Sequence, residues 1–385
     1  MSVTAAHSPA RTPRTIHAAI LLVASGLTVL VTAILGPSLA KMQQHFAGVP
    51  NADYLVPLTM TMPMLVMAIL SVCAGALADR FGRKRMLLGA TALYAIFGTA
   101  PMWLDSLYAI LCSRVLIGAA EAVIMTVSTT MIGDYYFGAR REKFMALQTT
   151  VASASAVAFN IVGGMMGDMG WRAPYCIYFV SLLLAPLMAR YLWEPRPGAA
   201  EVGQDPHGQE ASAVEFRPLL LAGISVVALF AGLAFLIVPV HLAYLMGAIG
   251  VQSSAQIGAA AALNSLGVVG GTLLFGWVVA PRLRVAHQLA LSIAIAGAGF
   301  VMMGAAATYQ ALTMAAIVNG LGFGVLLPTM VTWNMRELPF SHRGLGTGAF
   351  QSCLFLGMFA NPIVIVYFAA VAGGRTPVLI CVGPP

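Results

Sequence analysis

The chain has 385 residues, of which 59% are apolar and only 9% charged, with a mean hydropathy of +0.87. Soluble proteins carry about 25% charged residues, so this composition excludes a water-soluble globular domain and defines a polytopic membrane protein. The formal net charge of +7 sits in short loops between apolar runs, with no amphipathic or aromatic-interleaved basic surface for nucleic acid.

In chain order, Arg11 and Arg14 precede an apolar run over 16–40. That run is too long for the apolar core of a signal peptide and predicts a retained first helix. Further runs long enough to cross a bilayer lie at 54–78, 86–104, 107–133, 144–167, 174–193, 219–246, 256–280, 288–307, 311–334 and 345–371. From Pro377 only "PVLICVGPP" remains, too short for a twelfth span, so the last helix is expected to be truncated. The cysteines Cys73, Cys112, Cys176, Cys353 and Cys381 are odd in number, lie in apolar stretches and lack metal-ligand spacing, which predicts neither a disulfide framework nor a metal site.

Most Lys and Arg residues fall at one end of the predicted bundle, from Arg11 and Arg14 through Arg80, Arg83, Lys84 and Arg85 to Arg336 and Arg343. Lys41, Arg172 and Arg375 fall at the other, and Arg114 lies inside the fourth span. By the positive-inside rule the N-terminus is expected in the cytoplasm, with the chain multi-pass in the inner (plasma) membrane.

The polar, Pro/Gly-rich stretch 194–217 predicts a cytoplasmic linker between an N-terminal six-helix bundle (1–193) and a C-terminal bundle (218–385) of five full helices and a stub. The halves repeat one another. Gly75 aligns with Gly276, Arg83 with Arg284, Gly118 with Gly320, and Asn160 with Asn361, at offsets of 201 or 202 residues.

The segment "GALADRFGRKR" (75–85) raises its own question, since Asp79, Arg80, Arg83, Lys84 and Arg85 crowd into one turn between two apolar runs. Its pattern Gly75-x-x-x-Asp79-Arg80-x-Gly82-Arg83-Lys84-Arg85 resembles the signature loop of the major facilitator superfamily. Arg114-x-x-x-Gly118, "GGMMGDMGWRAPY" and "RGLGTGAF" add to the resemblance, which covers nearly the whole chain. It implies an all-α membrane protein of two pseudo-symmetric six-helix bundles, a transporter and not an enzyme. It also implies that Asp79 meets the N-terminal end of the eleventh span, around Arg343 to Thr347, and that Arg83 meets Asp134. Gly75, Asp79, Gly82, Arg83 and Asp134 would then form a conformational latch between the halves. For Arg80, Lys84 and Arg85 a role as topology anchors is the alternative.

Of the thirteen acids, Glu121 alone lies in the middle of a span. An ionisable group at membrane depth is a functional candidate by default. Burial favours the protonated carboxyl and a nearby guanidinium the ionised one, opposed pulls that suit a proton switch. Arg114, two helical turns earlier, makes Glu121 and Arg114 the expected proton-coupling pair, a static packing pair being the alternative. Asn160, Asn361, His241 and Phe323 are the candidates for a substrate cavity. Helix-to-helix hydrogen bonding is the alternative for the asparagines and His241, and core packing for Phe323.

The family's exporters often carry Gly-x-x-x-Gly-Pro-x-x-Gly-Gly in the fifth helix, and here only Gly163 and Gly164 of that pattern remain. The reading is a secondary active transporter for a small organic compound, driven by the proton gradient with no bound cofactor or metal, in the direction of efflux. It is expected to work as a monomer in the lipid bilayer and to bind no nucleic acid. Uptake of an organic anion through Arg114, or a transport-deficient membrane sensor, are the alternatives.

Overall fold

The computed structural model describes residues 13–136, 138–195, 217–337 and 343–372. Every predicted span coincides with helix. The first is a broken rod of α1 (Thr15–Leu27), α2 (Leu30–Leu35), a 3-10 turn (Gly36–Ser38) and α3 (Leu39–His45). There follow α4 (Ala52–Phe81), α5 (Arg83–Thr99), α6 (Leu107–Tyr135), α7 (Gly138–Met169) and α8 (Val180–Tyr191), the last entered through a 3-10 stretch at Ala173–Phe179. The second set comprises α9 (Pro218–Phe235), α10 (Ile237–Ala248), α11 (Ser254–Leu274), a π-helical segment (Phe275–Val279) running into α12 (Ala280–Arg282), α13 (Val285–Ala305), α14 (Tyr309–Arg336) and α15 (Arg343–Ala372). Among the described residues there is no strand.

Nine of these stretches are long and apolar enough to cross a membrane, and the bent first rod makes a tenth. The predicted span at 86–104 is shorter than its apolar run. Helix α5 has 17 residues, about 25 Å, and ends at a 3-10 turn over Ala100–Met102 that contains Pro101. Local chemistry explains several other ends. Ser253 and Thr308 cap α11 and α14 by accepting from Gln256 N and Ala311 N, Pro218 stands at the first position of α9, and Gly82, at φ 93°, separates α4 from α5. The outer surface carries large apolar side chains such as Ile96, Leu183, Phe230 and Trp277, each more than half exposed, as lipid-facing helices require.

The helices run alternately between a basic end, which holds Arg83, Arg190 and Arg282, and a distal end, which holds His45, Asp168 and Gly250. Equivalent helices on the two sides of 196–216 pack alike. Helix α6 lies on α4 and α5 as α14 lies on α11 and α13, while α7 packs on α11 and α15 on α4 across the middle of the molecule. One core unites Tyr94, Ile117, Ile124, Tyr178 and Met188. The other joins Val240, Ala315, Phe323 and Phe350 with Met60, Met64 and Met67 of α4, so the distal and central part of α4 belongs to the opposite side's core, while Ala78 near its basic end lies in the first.

The contacts at Gly118 and Gly320 show the repeat at atomic detail. A Cβ at Gly118 would stand 2.7 Å from Pro63 Cα and O of α4, and one at Gly320 would stand 2.3 Å from Asn264 O of α11. Both helices of the α4–α6 and α11–α14 pairs thus touch backbone to backbone. We expect Gly118→Ala to cost about 1–3 kcal/mol by overpacking, whereas Gly89→Ala, where nothing lies within 4 Å, gains up to about 1 kcal/mol from helix propensity. Thermal unfolding of the two purified variants in detergent checks the contrast.

Candidate functional site

Three hydroxyls bend the first rod. Ser25, Thr28 and Thr32 each donate back to a main-chain carbonyl of their own helix, Leu21 O, Ser25 O and Val29 O, at 2.8–3.0 Å. Such bonds compete with the helix ladder, and the rod turns by 47° between Leu27 and Leu30. Its counterpart is interrupted at Leu236, between α9 and α10. Both breaks open onto one cavity of about 250 Å³ between the two halves. Val29, Thr32 and Ala33 line it from the first rod, Ser153 and Asn160 from α7, Phe235, Leu236, Val238 and Pro239 from the second break, and Asn264 and Ser265 from α11. None of its lining residues is charged.

Contacts at the cavity wall and beyond it close the distal end. A Cβ on Gly36 would meet Pro239 O at 2.7 Å, and one on Gly164 would meet Ser254 O at 2.6 Å. Tyr244 donates to Gln43 Oε1 at 3.4 Å, and Asn160 Nδ2 reaches Ser265 Oγ at 3.2 Å.

Of the four predicted cavity residues, Asn160 lines it and three do not. Asn361 donates to Leu233 O at 2.8 Å and its Oδ1 pairs with His241 Nε2 at 3.2 Å, so these two tie α15 to α9 and α10. Polar groups at that depth need partners, and here each meets the need with the other. Phe323 packs on Phe235 and Phe300, with centroids at 5.5 and 6.2 Å, and supports the wall from behind. Thr32, Ser153, Asn264 and Ser265 line the cavity without standing among the residues predicted for it. The signal for Asn264 was present, since it is an amide in the middle of an apolar run, as Asn160 is.

Glu121 and Arg114 are fully buried, inside the helices that precede the linker and not in the cavity wall. Arg114 Nη2 donates to Phe97 O at 2.8 Å and Gly98 O at 3.3 Å, and the guanidinium lies 5.3 and 5.7 Å from the ring centroids of Tyr175 and Tyr178. Arg114 is near Glu121, but the two form no direct ion pair, and neither Glu121 oxygen accepts a well-formed hydrogen bond. Tyr94 of α5 stands within reach of that carboxyl. Its hydroxyl is given instead to Leu27 O at 2.6 Å, the last residue before the break in the first rod. Gly118 makes room for α4, not for a ligand.

At the basic end, Arg83 forms an ion pair with Asp134. Gly75 and Asp79 fall within α4, and the surroundings of Gly75 and the side chain of Asp79 lie outside the described residues. Glu194 caps α5, accepting from Arg83 N at 2.5 Å and Lys84 N at 3.0 Å beside Gly82, a contact that no local sequence pattern marks. At the distal end Asp168, the penultimate residue of α7, reaches across to the other half. It accepts from Ser254 N at 2.6 Å, Ala255 N at 3.2 Å and Ser253 Oγ at 2.9 Å, and pairs with Lys41 at 3.1 Å. A carboxylate on the first amides of α11 also complements the helix dipole.

A pair of helix bundles that meet over a central cavity, each opening with a broken first helix, is the architecture of a secondary transporter. Residues 21–362 match the Major Facilitator Superfamily, and the chain belongs to that family. It is 26% identical over 330 residues to the 3-(3-hydroxy-phenyl)propionate transporter of Escherichia coli K12, covering 82% of this chain and 77% of that one. It is also 28% identical over 140 residues to the multidrug efflux pump LfrA of Mycolicibacterium smegmatis, covering 35% of this chain and 28% of that one. The fold matches a crystal structure of a bacterial homolog to the human lysosomal transporter Spinster, in an inward-facing and occupied conformation. The TM-score is 0.75 at 15% identity, over 97% of this chain and 92% of that one. The protein is a multi-pass membrane transporter and not an enzyme.

The Asp168 contact predicts a specific defect. Asp168→Asn keeps the shape but removes the charge that holds α11, at a cost of about 1 kcal/mol for a partly exposed cap. The distal ends of α7 and α11 are then expected to separate several-fold more often. Electron–electron distance measurements between spin labels at those ends detect the change, and Lys41→Met should have the smaller effect.

Proposed function

We propose that the protein moves a small, neutral, largely apolar organic compound outward across the inner membrane by alternating access, in exchange for protons that bind at Glu121. The basic end is assigned to the cytoplasm by the positive-inside rule, so closure at the distal end makes this the inward-facing state. The monomer is the working unit in this reading, and the proton gradient is the only source of energy. The uncharged cavity wall favours neutral cargo, since an unpaired charge there would lose its hydration without compensation. Export is in keeping with the efflux role named for the LfrA relative.

The observation that carries the coupling is the Tyr94 hydroxyl, which donates to Leu27 O and lies near the buried Glu121 carboxyl. Leu27 is two residues from Val29, which lines the cavity. While Glu121 holds a proton, Tyr94 is free to stabilise the carbonyl at the break. Once Glu121 is ionised, its charge competes for that hydroxyl as the stronger acceptor, and the break loses a tether. Proton state and cavity shape are thereby linked without contact between proton and cargo.

Uptake of an organic anion is the second reading, favoured by the propionate named for the relative that aligns with most of this chain. Against it, both Arg114 hydrogen bonds made by Nη2 end on main-chain carbonyls of α5 within the bundle.

Proteoliposomes carrying a pH gradient test the proposal, with a panel of neutral aromatic alcohols and 3-(3-hydroxyphenyl)propionate. Wild type is expected to move an alcohol against its gradient with counter-movement of protons. Glu121→Gln should retain exchange of cargo down its gradient and lose the pH-driven component at least tenfold, and Tyr94→Phe should weaken the coupling in the same direction. Full pH-driven flux in Glu121→Gln removes Glu121 from the mechanism. Accumulation of the carboxylate that Arg114→Ala abolishes establishes the anion reading.

A further inference from the structure

The polar atoms of the cavity are unequal in kind. Asn160 Nδ2 is committed to Ala156 O at 2.8 Å and Ser265 Oγ at 3.2 Å, and Asn264 Nδ2 to Ala316 O at 2.7 Å. A carbonyl can only accept, so these bonds fix which way each amide is turned. Both Oδ1 atoms are left as acceptors on residues that line the cavity, one from each half of the molecule. The hydroxyls follow the same rule. Ser265 spends its proton on Ala261 O at 3.1 Å and Thr32 on Val29 O at 3.0 Å, which leaves each with lone pairs. Pro239 adds to the effect, because it offers no N–H to the carbonyl four residues back, that of Phe235, on the same wall. Only the hydroxyl of Ser153 can either give or take.

We propose that this cavity selects cargo by accepting hydrogen bonds, so that its ligand is a neutral compound presenting hydroxyl or amide N–H donors on an apolar frame, with Asn160 and Asn264 as the specificity-determining residues. The proposal rests on the transport reading above for its meaning but not for its test. An ether of the same shape leaves the two amide oxygens without donors and forfeits the bonds. A carboxylate brings a charge against acceptors. An ammonium brings donors, but no lining acid compensates its charge.

The experiment is equilibrium binding to the purified full-length chain in detergent, by calorimetry, of 3-phenylpropan-1-ol, its methyl ether, 3-phenylpropanoate and 3-phenylpropylammonium. The alcohol is expected to bind about tenfold or more tighter than the ether, the value of one well-made hydrogen bond, and tighter than either ion. Asn264→Leu and Asn160→Leu should each bring alcohol and ether toward equality, and the wild-type ratio stands if either variant fails to fold. Equal or tighter binding of the ether or of an ion overturns the proposal, as does the absence of measurable binding by all four. The alcohol preference with no flux of these compounds in proteoliposomes would support this inference while refuting the proposed export, and flux without the preference would do the reverse.

Discussion

Inside a bilayer, a main-chain carbonyl that leaves its helix has no water to turn to and must find a donor within the protein. The bend in the first rod sets this condition at Leu27, and the hydroxyl of Tyr94 meets it. The cavity depends on that bend, because the turn carries Val29, Thr32 and Ala33 to the interface between the halves. The same hydroxyl lies beside the one carboxyl found in the middle of a span. A structural need and a titratable group thus share one donor, and that sharing gives a sealed acid influence over a cavity that it does not line.

The two ends of the molecule are fastened by related chemistry. Acidic side chains accept from the first amides of helices, Glu194 at α5 and Asp168 at α11. Only the Asp168 contact crosses from one half to the other, and it lies at the end where the cavity is closed. Its partner amides are fixed to the helix, so the contact needs little side-chain ordering beyond its own. The ion pair between Arg83 and Asp134 stays within one half and braces the turn next to it.

The long spans and the charged turn at 75–85 were legible in the sequence because hydropathy and loop charge are set by the bilayer itself. The mid-span acid was legible for the same reason. The cavity was not, because three of its four predicted residues satisfy their needs elsewhere. His241 and Asn361 are as polar and as deep as Asn160, yet they meet each other while Asn160 meets the opposite half. Sequence shows that such a group needs a partner and does not show which one. The bend at Thr28 is not legible in the sequence because no proline marks it and hydroxyls that bond back along a helix are common. Asp168 sorts with the helix-end acids, and only the packing of α7 on α11 reveals what it caps.

The closed seam between α7 and α11 is made largely of main chain, with Gly164 against Ser254 O and Gly258 against Asn160 O. A surface with few side chains holds little information about cargo. Cavity residues that make no bond across the seam, such as Val29, Ala33 and Val268, can therefore change without disturbing how the halves close. A chain built this way can acquire new cargo through those residues and keep the same gate, whereas a change at Asn160 or Ser265 alters both.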